Sequence, residues 1–374
     1  MIDHKDITLS DASVSDFSPD WISPPGDTIE DLLEEKGWTK AEFAERTGFT
    51  SKHVNELVKG RAALTPDAAD RLSRVLGSTA KFWLTREAQY RAALEHRKAV
   101  ENASQDKSWL AELPLKWMQK RGWVKPHHNP GHQVLECLRF FAVASVDAWR
   151  RQYELPLTAF RASPKFEKKN GSVATWIRKG EITTTEIRTA PFDKHGFRAA
   201  LSRLRELTKE LDPNVFVPHL MKTCASYGVA VAFIPAPPGC PVSGATRWLT
   251  SDKAMLLLSL RHRTNDHLWF TFFHEAAHLL LHGKKLFFIE GIDGLDEHHE
   301  READQFSEDL LIPPAAARRL AQLPKGRASK AQILAFASEV QIAPGIVVGR
   351  MQKEGWLPYS HMNDLKIRYE WDNE

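Results

Sequence analysis

The sequence predicts a mostly helical α+β chain, and three observations carry that prediction. Apolar residues recur at helical spacing between start and stop signals from Asp27 to Leu76. Only two short runs, Val229 to Ile234 and Met255 to Leu260, have the composition of strands. A long apolar stretch contains His274-Glu275-Ala276-Ala277-His278, whose polar groups are spaced for one face of a helix. With 374 residues, 42% of them hydrophobic and 26% charged, the chain is an ordinary globular one of more than one domain. Cys137, Cys224 and Cys240 are odd in number and widely spaced, so neither a disulfide framework nor a cysteine metal site is indicated, and a reducing cytoplasm fits best. No uncharged apolar run reaches the roughly 18 residues of a membrane-spanning helix, and the acidic, polar N-terminus is no secretory signal.

Residues 1–26, rich in Ser, Asp and Pro up to Pro24-Pro25-Gly26, read as a flexible tail, with order expected from Asp27. Four short helices follow. Ile29 to Lys36 is stopped by Gly37; Lys40 to Thr47 has Thr39 as cap with Glu42 three residues on, and is stopped by Gly48. Ser51 to Val58 comes next, then Pro66 to Leu76 with Thr65 as cap and proline in the first turn. This is the spacing of a helix-turn-helix bundle. Gly37-Trp38-Thr39, Phe43-Ala44, Gly48-Phe49-Thr50, Val54-Asn55 and Gly60-Arg61 resemble the XRE (Cro/repressor-like) helix-turn-helix domain. Leu64-Thr65-Pro66 and Phe82-Trp83-Leu84 are similar to its HigA-type antitoxin branch.

The resemblance implies a DNA-binding domain over residues 27–104, with Ser51 to Val58 as recognition helix. Because Val54, Leu57 and Val58 must face the core, Ser51, Lys52, His53 and Asn55 are left for base edges, with Thr39, Lys40, Lys59 and Arg61 for phosphates. Double-stranded operator DNA, bound by a homodimer, is the implied partner. A helical module that binds a protein, such as a toxin, is the alternative.

Residues 105–211 read as a helical linker. Gln89 to Lys107 is a charged helix with a break at Asn102 to Asp106, and His127-His128-Asn129-Pro130-Gly131 is a turn whose two histidines are solvated loop residues. Arg139 to Arg205 holds 14 Lys or Arg against 6 Asp or Glu, interleaved with Trp149, Tyr153, Phe160, Phe166 and Trp176. Cations with aromatics are the ingredients of a single-stranded nucleic-acid groove. They equally describe helix cores with a solvated face, and Phe140-Phe141 and Trp149 fit core spacing.

Residues 212–322 open with the two strand-like runs, of which Leu256 to Ser259 is the expected edge for an extended peptide. The next helix begins near Thr264 or Asn265, carries Asp266 in its first turn and runs through Leu281. On it His274 and His278 can grip one tetrahedral Zn²⁺, with Glu275 leaning over the open position as general base. Glu300, at the start of a second amphipathic helix, is the candidate third ligand, with Glu302 the alternative. Asp304, one turn on, is placed to fix the tautomer of a ligating histidine. The competing reading is a pair of core histidines beside a solvated acidic helix.

Glu300 to Pro313, ending Leu310-Leu311-Ile312-Pro313, resembles the second signature of the ImmA/IrrE zinc metallopeptidases, with Asp304 at an Asn-like position and Ser307 where alanine is usual. The resemblance implies a zincin-like domain that cleaves a repressor- or antitoxin-type protein, with this chain itself near Asn102 to Asp106 as one candidate substrate, and a sensor of single-stranded DNA, for which the basic stretch is the candidate. Arg247, His282, Tyr359 and His361 are candidates to steady an oxyanion. Residues 323–374 read as two helices around Gln341 to Pro344, an appendage with too few basic residues for a second DNA reader. The expected whole is a DNA-binding regulator with a zinc endopeptidase. A non-proteolytic HigA-like antitoxin is the alternative.

Overall fold

The computed structural model describes residues 22–154, 170–283, 288–289 and 297–371. Two compact units meet between Asn102 and Ala103. The structure thus divides the chain in two where the sequence reading drew five parts. The stretches 105–211 and 323–374 belong to the same unit as the sheet.

In the first unit α1 (Pro25–Lys36), α2 (Lys40–Thr47), α3 (Ser51–Val58) and α4 (Pro66–Leu76) close over Ile29, Phe43, Val54, Leu57 and Leu72, with Trp83 of α5 (Ala80–Ala103) completing the core. Thr39, Thr50 and Thr65 each accept the backbone N–H three residues on, which spares α2, α3 and α4 one orphan donor apiece. Order begins before Asp27. Pro25 opens α1 from a first-turn position that tolerates proline, and Gly26 lies so close to α3 that a Cβ there would meet the Val58 carbonyl oxygen at 1.8 Å. Pro-Gly marks a helix start here and not the end of a tail. The break expected at Asn102 to Asp106 is where α5 ends at Ala103 and passes into a 3-10 helix over Ser104–Glu112.

The second unit continues with α6 (Leu115–Lys120), α7 (Pro130–Phe141), α8 (Val146–Trp149), α9 (Asn170–Glu186), α10 (Lys194–Leu204) and α11 (Pro213–Ala225). Then come β1 (Val229–Phe233), β2 (Gly244–Trp248), β3 (Ala254–Leu258), α12 (Asn265–Leu281), β4 (Phe288–Ile289), α13 (Glu297–Leu311), α14 (Pro314–Leu320), α15 (Lys330–Val340) and α16 (Pro344–Lys353). The strands stand in the order β1-β3-β2-β4, with β1 and β3 parallel and the other pairs antiparallel. Val229, Val231, Leu256 and Leu258 face one core with Trp269, Phe272 and Phe273 of α12. Ala232, Met255, Leu257 and Ala245 face the other, with Trp109, Phe141, Trp149 and Trp176. A sheet covered on both faces explains why β1 and β3 are continuous apolar runs.

That arrangement overturns the edge assignment. Leu256 to Ser259 lies in and just after β3, between β1 and β2, so its ladder is already occupied and it cannot take up a peptide strand. The aromatics of the basic stretch are corrected too. Trp149, Tyr153 and Trp176 are buried, the last donating its indole N–H to the Ile234 carbonyl at 2.8 Å, so none offers a stacking face to a base. Phe160 and Phe166 lie outside the described residues. Instead of a separate sensor, α9 is a layer on the sheet, pressed so near it that a Cβ on Gly180 would meet Leu257 at 2.2 Å. His127 and His128 are exposed in the turn before α7.

The C-terminal helices α15 and α16 bury Ile333, Phe336, Val347 and Met351 in the α12 core. No single described helix is long and apolar enough to cross a membrane. Replacing Gly26 by valine should force α1 off α3 and destabilise the first unit by about 1–3 kcal/mol. Denaturant unfolding of that unit measures it, and an unchanged midpoint would contradict the close approach.

Candidate metal centre and helix-turn-helix surface

Helix α12 follows Thr264 at its N-cap and is buried along nearly its whole length, so His274, Glu275 and His278 are almost inaccessible. One helical turn puts both imidazoles on the face toward α13, their Nε2 atoms 3.0 Å apart. Glu300, in the first turn of α13, brings Oε2 to 3.2 Å from His274 Nε2 and Oε1 to 3.4 Å from His278 Nε2. The three ligand atoms lie within 4.8 Å of one another. The alternative Glu302 turns away, its carboxylate 3.3 Å from His282 Nε2 and 3.2 Å from His298 Nδ1.

Each histidine is held from behind. His274 Nδ1 stands 3.0 Å from Asp304 Oδ1, and His278 Nδ1 stands 2.9 Å from His282 Nδ1. A carboxylate only accepts, so His274 carries its proton on Nδ1. If His282 donates from Nε2 to Glu302, its Nδ1 accepts from His278 in the same way. Both Nε2 lone pairs then converge with a carboxylate on one point. Three such donors suit a divalent cation of the zinc type, with ligand distances of about 2.0–2.2 Å. Glu275 is one residue along from His274, beside β2. A Cβ on Gly244 would come within 2.7 Å of its carboxylate, so only glycine allows the strand to pass there.

The sequence reading missed the supporting residues. His282 was a candidate oxyanion helper, yet it sits behind His278. Lys353 of α16 reaches Asp304 Oδ2 at 3.3 Å and Glu308 at 2.9 Å, and Arg350 holds Glu308 at 2.8 Å. The i, i+4 spacing of His278 and His282 was a readable signal. The partnership of Lys353 with a residue far back in the chain was not. Ser307, at the position where alanine is usual, donates its buried hydroxyl to the Phe270 carbonyl at 3.1 Å.

On the first unit Ser51, Lys52, Asn55 and Lys59 are exposed along one side of α3, while Val54, Leu57 and Val58 are buried. His53 is half-buried, edge-on to Phe49 at 4.9 Å. Thr39 gives both its N–H and its hydroxyl to Glu42, at 2.7 and 3.0 Å, so its donors are committed to the helix cap. Lys40 is paired with Glu30 at 2.5 Å and Arg61 with Glu56 at 3.7 Å, both on the surface.

Residues 29–83 match the family model described as helix-turn-helix, and residues 227–345 match the peptidase model described as the IrrE N-terminal-like domain. The chain joins a helix-turn-helix domain to an IrrE-like domain. Over 60 residues, 16% of this chain, it is also 40% identical to the uncharacterized HTH-type transcriptional regulator YddM of Escherichia coli (strain K12), and the match spans 64% of that protein.

Within the IrrE-like domain two oxyanion candidates are removed by position. Arg247 shares the side of the sheet that bears Ala245 and Met255, away from α12, and pairs with Glu181 of α9. His282 is spent on His278. Tyr359 is exposed and His361 lies against Ser360.

Burial, opposed by Glu300 and reinforced by His274 and His282, holds His278 down to about 4. Burial alone would raise Glu300, but the two histidines outweigh it and hold the carboxyl down to about 2. Both values lie below the ordinary 6.5 and 4.5, so in acid the unfolded chain takes up protons that the folded chain does not. The stability contributed by these groups is complete above pH 6.5 and is lost as pH falls through about 4 toward 2. Acid unfolding of metal-free protein tests the sign. Constant stability between pH 7 and 4 would contradict it.

Proposed function

We propose that the chain is a DNA-binding transcriptional regulator whose IrrE-like domain is a zinc-dependent endopeptidase acting on a repressor- or antitoxin-type protein. The observation that carries this reading is the convergence of His274 Nε2, His278 Nε2 and Glu300 beside a buried Glu275. His274, His278 and Glu300 would hold the ion. Zinc, when bound, supplies Lewis acidity toward a peptide carbonyl and lowers the pKa of water.

The chain's own residues do the rest. Glu275 is the group that takes a proton from the attacking water and returns it to the leaving amine, a role in which a fixed carboxylate in a dry site is effective. Asp304 and His282 keep the proton of each imidazole on Nδ1 and so keep the Nε2 lone pairs directed at the centre. Gly244 lets β2 run flush against Glu275. A purely structural ion would not require a carboxylate there, which weighs against the non-proteolytic, HigA-like antitoxin reading. In the first unit, the exposed Ser51, Lys52 and Asn55 support contact with base edges, and Lys59 and Arg61 contact with phosphates. An operator of two half-sites would be met by a homodimer.

Glu275→Gln should retain zinc and DNA binding and lose cleavage of co-expressed helix-turn-helix proteins. Cleavage by that variant would refute the assignment of the base, and zinc without cleavage by the native chain would shift the reading to the antitoxin-like protein. His282→Ala, which removes the support of His278 and the contact with Glu302 but none of the three ligand residues, should weaken zinc binding roughly 10–100-fold. Competition with a zinc chelator measures this, and unchanged affinity would remove His282 from the centre.

A further inference from the structure

On the face of the sheet away from α12 lies a cavity of about 950 Å³, at the upper end of the roughly 300–1,000 Å³ typical of small-ligand sites. Its walls come from the end of α7, the segment 151–153 after α8, α9, and β2 with the turn into β3. Arg151, Arg178, Arg247 and Lys253 line it, and Glu181 is the one carboxylate among the described residues of the wall. That carboxylate is shared by two guanidiniums, Arg178 at 3.0 Å and Arg247, and also has the Tyr153 hydroxyl at 3.3 Å. One negative charge so divided leaves the wall strongly positive.

The cations are held in place without being neutralised. Lys253 gives its ammonium to the carbonyls of Thr185 and Ile187, at 3.0 and 2.6 Å, and pairs with no carboxylate among the described residues. Arg178 spends Nε on the Phe140 carbonyl at 2.8 Å and Nη1 on Glu181, which fixes its plane and leaves Nη2 without a partner among the described residues. Arg151 is exposed and likewise unpartnered among them. These groups can be reached from solvent: the side chains of Arg178 and Arg247 are 21% and 34% exposed.

A concave wall of one sign concentrates ions of the other. Guanidiniums match carboxylate and phosphate equally well in shape, so charge decides between them. A single carboxylate brings one negative charge, whereas a phosphate monoester brings about 1.5 to 2 at neutral pH, nearer to the excess of four cations over one anion. Phosphate alone would leave most of the volume empty. Val143, Trp248 and Leu249 are only half-buried and give the same wall apolar surface for a larger body.

We propose that this cavity binds a nucleotide-sized phosphate ester, with the phosphate taken by Arg151 and Arg178 and the ring laid against Trp248 and Leu249. The site stands across the sheet from His274 and does not depend on the peptidase reading.

The test titrates adenosine 5′-monophosphate, adenosine and inorganic phosphate into the full-length chain by calorimetry. The monophosphate is expected to bind roughly tenfold or more tightly than either fragment, since each lacks half of the contacts. Arg151→Glu and Gln152→Glu both change exposed side chains that line the cavity and have no partner among the described residues, so each should leave the thermal midpoint unchanged and weaken the monophosphate roughly tenfold or more. Phosphate bound at the candidate metal centre would be indifferent to both substitutions. Absence of binding, affinity for adenosine or inorganic phosphate equal to that for the monophosphate, or affinity unchanged in the two variants overturns the proposal.

Discussion

Two imidazoles and a carboxylate sit on an apolar, buried helix, and the second unit is arranged around the need to satisfy them. A charge or polar group taken out of water costs several kcal/mol unless it is paired. For His274 and His278 the partners come from Asp304, His282 and Glu300, all on or beside two helices packed side by side. The long contact between α12 and α13 is therefore as much a device for placing Glu300 and Asp304 as it is a hydrophobic interface. Ser307, buried in that contact and bonded to the Phe270 carbonyl, ties the two helices together at a point where an alanine would only fill space.

The support extends outward in layers. Asp304 is held by Lys353, Lys353 by Glu308, and Glu308 by Arg350, so that α16 reaches the candidate metal centre through a chain of ion pairs. The same helix comes near the start of α12 because Gly345 and Gly349 leave room for Asn265 and Asp266; a Cβ at Gly349 would lie 2.6 Å from Asp266 Oδ2. What looked in sequence like an appendage is a wall of the candidate centre. The pair Asp266–Lys366, almost out of water, also fastens the last described segment to the start of α12.

On the opposite side of the sheet residues 105–186 have the same character. Its tryptophans fill a core, and Arg178 and Arg247 share the buried carboxylate of Glu181. Basic and aromatic residues in alternation arose from a helical layer that buries one face and solvates the other, which composition alone does not distinguish from a nucleic-acid groove.

Helices α2, α3 and α4 were legible to the residue, because Thr39, Thr50, Thr65 and Gly48 act on their nearest neighbours and need no tertiary context, whereas α1 begins at Pro25 and not at Ile29, and α5 covers Ala80–Ala103 and not Gln89 to Lys107. The spacing of His274 and His278 was legible for the same reason: a helix alone puts residues four apart on one face, with Glu275 one residue along. Glu300 was suggested by its signature, but its choice over Glu302 depends on how α13 is rotated against α12, which only packing decides. Packing also decided that β3 is central, since an apolar run shows that both faces are covered and says nothing about which strands flank it. The spacing of His282 from His278 was readable, but the partnerships of Lys353 with Asp304 and of Lys366 with Asp266 were not. Their roles depend on side chains brought together from distant parts of the chain, and no local periodicity records such a meeting.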